Sequence, residues 1–140
     1  MKTKLLTLEE ADNLLPQVRQ ILNDLRAIRG KIQQMEKEKA VEELSWLEPD
    51  GSVSPKAQEG LARIQKEQQE QLAAFDRALE RINRLGAQLK GLDEGLVDFF
   101  SNRGEELICL CWKEGEDRIR YWHDLESGFA GRRPIEELES

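Results

Sequence analysis

Leu14, Val18, Ile21, Leu25, Ile28, Ile32 and Met35 recur at alternating spacings of 4 and 3 residues, a heptad seam that Leu15 and Leu22 widen. This commits the first part of the chain to one long amphipathic helix. Thr7-Leu-Glu-Glu10 forms a capping box ahead of it, since hydroxyl and carboxylate can each satisfy the other's backbone donor. Pro16 lacks an N–H and crowds the preceding turn, so a break or kink is expected near Asn13–Leu15, with Pro16 able to open the longer helix. A second stripe runs through Leu61, Ile64, Leu72, Phe75, Leu79, Ile82, Leu85 and Leu89, with a polar gap at Gln68 and Gln71. Between the two lies LEPDGSVSP, rich in turn residues, where Ser54-Pro55 reads as an N-cap and first-turn proline. Residues 7–90 are thus predicted to form a long antiparallel two-helix hairpin. Each helix of such a hairpin buries one stripe, so a third element or a second copy is needed for stability. Self-association as a homo-oligomer, or capture of a protein partner, follows.

After Gly91 the period changes. Gly95–Phe100, Glu105–Lys113 and Arg118–His123 read as three strands separated by SNRG and EGED turns. The expected architecture is therefore α+β, mainly α, with the hairpin followed by a small three-stranded antiparallel sheet. Residues 1–140 form a single domain, and 91–140 carry the sheet and a Gly/Arg loop tail. A four-residue turn would pair Lys113 with Arg118, Leu110 with Tyr121 and Ile108 with His123. That register gathers Ile108, Leu110, Trp112, Ile119 and Tyr121 on one face, with His123 at its end. Cys109, Cys111, Arg120 and Trp122 then share the other.

Charge narrows the partners. The chain carries a net charge of −7, and residues 91–140 hold 13 acidic against 6 basic side chains. Neither half offers the net basic face that nucleic acid or an anionic membrane surface requires. No apolar run approaches the roughly 20 residues of a membrane span, and the N-terminus lacks the apolar core of a signal peptide. Two cysteines do not make a disulfide framework, so a cytoplasmic protein is the simplest expectation.

The candidate chemistry lies in Tyr121–Pro134, YWHDLESGFAGRRP. His123, the single histidine, closes a strand beside Asp124, with Glu126 near in sequence and Asp98 within reach if the strands pair as expected. His123 and Asp98 are the catalytic candidates. A Cys109-x-Cys111 metal site is not expected: the preferred register puts His123 on the face opposite both thiols, and buried cysteines commonly act as small hydrophobes. No metal or other cofactor is therefore assigned. In the GFAGRRP loop, Phe129 can plug into the core, while Arg132 and Arg133 can grip a small anion or pair with neighbouring acids. With Asp124 and His123 these are the binding candidates.

The combination Thr7-Leu-Glu-Glu-Ala-Asp-Asn-Leu-Leu-Pro16, Gly95-Leu-Val-Asp-Phe99, Leu110-Cys-Trp112, Gly115-Glu116, Trp122-His123 and Gly128-Phe-Ala-Gly-Arg-Arg-Pro134 resembles an uncharacterised bacterial family, domain of unknown function 2203. The resemblance spans nearly the whole chain and implies the same architecture. It carries no reaction or ligand. That family often has proline after the GLVDF segment, where this chain has Phe100. The leading functional expectation is a non-catalytic self-association or partner-binding module with a docking or small-anion site at GFAGRRP. The alternative is an enzyme or metal protein centred on His123 and its carboxylates.

Overall fold

The computed structural model describes residues 4–45 and 48–138. Two helices, α1 (Leu8–Ser45) and α2 (Pro55–Leu85), precede an antiparallel five-stranded sheet. Its strands are β1 (Ala87–Gly91), β2 (Leu96–Arg103), β3 (Glu106–Lys113), β4 (Tyr121–Asp124) and β5 (Arg133–Pro134), in sequential order. The chain divides into two compact units, Met1–Asn23 with Leu79–Ser140, and Asp24–Ala78. Among the described residues, no helix is long and apolar enough to cross a membrane.

The capping box forms as the sequence predicts: Thr7 N–H donates to Glu10 Oε1 at 2.9 Å, and Glu10 N–H to Thr7 Oγ1 at 3.1 Å. The expected break at Pro16 does not occur, and α1 runs through it. Leu15 and Val18 are fully buried beside the exposed proline, so apolar burial offsets the hydrogen bond that the ring removes. The α2 helix stops at Leu85 rather than near Lys90, because Gly86 takes a left-handed φ of 94° and donates back to the Asn83 carbonyl. The chain beyond Gly86 becomes β1, so Leu89 belongs to a strand and not to the helical stripe. With the two-residue β5, this raises the strand count from the expected three to five.

The β3–β4 register also departs from expectation, by one residue. Cys109 pairs with His123, Leu110 with Trp122 and Cys111 with Tyr121. The connection is not a four-residue turn. Lys113 N–H donates to Glu116 Oε1 at 2.7 Å, Trp112 Nε1 donates to the Glu116 carbonyl at 3.0 Å, and Ile119 N–H donates to Asp12 Oδ1 of α1 at 2.8 Å. Arg19 of α1 lies over the Trp112 ring, 5.3 Å from its centroid. Ile119 is thereby held in the core by a loop segment, and β4 begins only at Tyr121.

Because side chains alternate across a sheet, a one-residue slip exchanges the faces of β4. Trp122, not Tyr121, joins Val97, Phe99, Ile108, Leu110 and Trp112 on the apolar face. His123 moves to the other face, beside Asp98, Cys109 and Cys111. In the second unit the helices meet antiparallel, with Gln68 Nε2 donating to Glu36 Oε1 and Gly60 beside Glu42. Among the described residues of that unit, the buried apolar side chains are few: Leu25, Ala57, Ile64 and Ala78.

Candidate functional site

Asp98 in β2 is the register partner of Cys111 in β3, and Cys109 is the partner of His123 in β4. Three adjacent strands therefore deliver a carboxylate, thiols and an imidazole to one face. All four residues are buried. His123 Nε2 lies 3.1 Å from Asp98 Oδ2, and donor atoms of Asp98, Cys111 and His123 all fall within 4.8 Å of one another.

The hydrogen-bond accounting at His123 is decisive. Its Nδ1 sits 2.6 Å from the Asp124 carbonyl oxygen. A carbonyl only accepts, so the proton of a neutral ring resides on Nδ1 and Nε2 presents a lone pair. That lone pair faces the Asp98 carboxylate, another acceptor, and a proton or a cation must lie between them. The second Asp98 oxygen, Oδ1, is buried without a hydrogen-bond partner. Buried polar atoms are ordinarily satisfied, and Asp98 Oδ1 shares this exception with Trp122 Nε1 and Arg132 Nε among the described residues.

Burial, reinforced by the Asp98 carboxylate, pushes the Cys109 thiol up to about 11 and the Cys111 thiol up to about 12. Neither is poised as a free thiolate nucleophile. A bound divalent metal would ionise Cys111 outright, since thiolate is the ligating form. Both cysteines are free, consistent with two neighbours on one strand face.

Asp98, Cys109 and His123 form the floor of a cleft of about 440 Å³, with Phe100, Leu125 and Phe129 among its walls. Asp124, the last residue of β4, is exposed. It accepts from Ser127 N–H at 2.7 Å and Glu126 N–H at 3.0 Å, and these bonds hold it below the usual carboxylate range. Arg132 is engaged. Its Nη2 donates to Glu116 Oε1 at 2.7 Å and to the Cys111 carbonyl at 3.3 Å, and its guanidinium lies 4.1 Å from the Tyr121 ring centroid and 4.8 Å from that of Phe129. Arg133 is exposed and lies over Trp122, 5.4 Å from its centroid. Asp98 and His123 are thus brought together, whereas Arg132, Arg133 and Asp124 lie outside the cluster and Phe129 forms a cleft wall. The sequence reading sets Cys111 aside as a metal ligand because the expected register sends His123 to the opposite face; the observed register brings the two together. Glu116 enters that reading only within the Gly115-Glu116 motif, and its contact with Arg132 emerges from the loop geometry.

The fold and cluster define an α+β protein whose small antiparallel sheet carries a buried Asp–Cys–His donor set beneath a cleft. The chain belongs to the DUF2203 family of uncharacterized conserved proteins, whose family model matches residues 4–135. No curated protein and no solved structure matches it.

Proposed function

We propose that the protein binds a divalent transition metal of borderline softness, zinc foremost, through Asp98, Cys111 and His123. The observation that carries this reading is the convergence of His123 Nε2, Asp98 Oδ2 and the Cys111 sulfur, with the second Asp98 oxygen buried and unpartnered beside them. An S, N, O donor set suits zinc, and a tetrahedral ion needs its donors about 3.3–3.7 Å apart, so binding would open the 3.1 Å His123–Asp98 contact slightly and draw together donors that now lie within 4.8 Å of one another. The Nδ1–H bond to the Asp124 carbonyl supplies the outer-shell contact that fixes a ligating tautomer. The free thiols of Cys109 and Cys111 support a cytoplasmic location.

The test is cobalt substitution after chelator treatment. One equivalent of Co(II) should produce a near-ultraviolet sulfur-to-cobalt charge-transfer band. That band should vanish in Cys111→Ser and weaken in His123→Ala, with folding checked by circular dichroism. Absence of stoichiometric metal binding by the folded wild-type protein sinks the reading.

A second role, self-association through the helices, is favoured by the sparse core of the Asp24–Ala78 unit and by Val41, Leu44 and Leu72, which are 63%, 78% and 49% exposed. Sedimentation velocity tests it. A monomer at high concentration ends this reading and leaves the metal site untouched.

A further inference from the structure

We infer that the metal held by Asp98, Cys111 and His123 keeps one coordination position open to the cleft, and that this position takes a monoanionic oxygen donor carried on an apolar body. The inference rests on the metal reading above and deepens it. The three donors rise from β2, β3 and β4, so all three approach the ion from the sheet. A tetrahedral centre bound from one side directs its fourth vertex away from that side, here into the cleft whose floor includes Asp98 and His123. Cys109 is the protein group best placed to close that vertex, yet its sulfur lies outside the group of mutually close donors. Three protein ligands and one exchangeable position is the pattern of a working zinc centre, not a structural one.

Charge and lining then define the ligand. A divalent ion with one carboxylate, one thiolate and a neutral imidazole is electrically neutral, so the open vertex has no excess charge with which to hold a polyanion. Lys90 is the one cation among the described residues lining the cleft, and Glu126 lines it as well. A single negative oxygen donor fits this balance, whereas a dianion would meet Glu126 with one lysine to offset it. Leu96, Phe100, Leu125 and Phe129 give the remaining wall an apolar character that a hydrocarbon body would fill. The bound donor is water or hydroxide when the cleft is empty, and a carboxylate-like group when it is filled.

The experiment titrates the Co(II)-loaded protein with acetate and with octanoate, reading the visible ligand-field bands. Both should shift the spectrum to a 1:1 end point while leaving the sulfur charge-transfer band in place. Burial of two methylenes alone predicts at least a tenfold lower half-saturation for octanoate. Phe129→Ala should narrow that ratio. A cobalt protein whose charge-transfer band is present but whose ligand-field bands ignore both carboxylates overturns the open position and leaves the metal reading standing. Equal half-saturation overturns the apolar-body assignment. A charge-transfer band that falls by half in Cys109→Ser makes Cys109 the fourth ligand and overturns the inference. No charge-transfer band at all removes the metal reading, and this inference with it.

Discussion

Asp98→Asn separates a structural ion pair from an unfinished metal site. If the Asp98–His123 contact were a buried salt bridge retained for stability, removing one partner would cost about 3–5 kcal/mol. The geometry argues for a far smaller cost. In D98N the side-chain amide can donate to the His123 Nε2 lone pair, replacing a pair that needs an extra proton with an ordinary hydrogen bond at the same 3.1 Å spacing. A buried carboxylate with one unpartnered oxygen becomes a neutral amide, which is cheaper to bury. In chelator, D98N should lie within about 1 kcal/mol of wild type. With zinc the order changes. Free metal at a hundredfold its Kd stabilises the wild-type protein by about 2.7 kcal/mol, and a tenfold to hundredfold loss of affinity leaves about 0.4–1.4 kcal/mol. At about 4 °C per kcal/mol for a chain of this size, the zinc-induced rise in Tm should fall from about 10 °C to about 2–5 °C. Urea and thermal unfolding in chelator and in zinc measure both quantities. A loss of 3 kcal/mol or more in chelator, with the zinc shift unchanged, would falsify the metal argument and make the pair structural.

Three further expectations follow from other parts of the fold. Arg132→Ala should destabilise by about 1–3 kcal/mol in chemical denaturation, because it removes two aromatic contacts and the Glu116 partner, and Arg132→Lys should recover less than half of that. Thr7→Ala should lower Tm by about 2–4 °C at neutral pH. Hydrogen bonds from Thr7 hold the Glu10 carboxyl below its usual range, so the capping contribution is present above the ordinary glutamate pKa and fades as pH falls through the lowered one; the wild-type advantage should shrink in acid. Cys109 and Cys111 should react with an aromatic disulfide reagent far more slowly in the native metal-free protein than in urea, given their burial, and equal rates would contradict it.

Periodicity carried the helices because long seams repeat their message. The 4-3 spacing from Leu14 to Met35 leaves one helical face to bury, and a single proline cannot outweigh it once Leu15 and Val18 are enclosed. The sheet is less legible. Ala87–Gly91 continues the hydrophobic spacing of α2 through Leu89, and only the left-handed turn at Gly86 converts it to a strand. The register of β4 depends on Asp12 capturing the Ile119 N–H, a bond between residues 107 positions apart that no local pattern announces. His123 and Asp98 were visible as candidates from residue type alone. Their alliance with Cys111 was hidden because the expected register, one residue away, sent the imidazole to the opposite face. A site assembled across three strands inherits the uncertainty of every pairing between them.

The GFAGRRP loop takes its meaning from that assembly. Its two arginines were expected to grip an anion or anchor the tail, and the contacts of Arg132 divide its attention between two parts of one device. Through Nη2 it donates to the carbonyl of Cys111, the residue that bears the sulfur donor, and through its guanidinium face it stacks on Phe129, a wall of the cleft. Glu116 fixes the same guanidinium from the β3–β4 connection, the segment whose geometry sets the register of His123. One cation thus ties the cleft wall, the strand carrying the thiol and the loop that orients the imidazole. The opposite sheet face is fully occupied by Phe99, Leu110 and Trp112, which makes the strands a rigid base for the donors. On this arrangement the Arg132 guanidinium is engaged within the fold, and its loss should loosen Phe129 and the strand that carries Cys111 together.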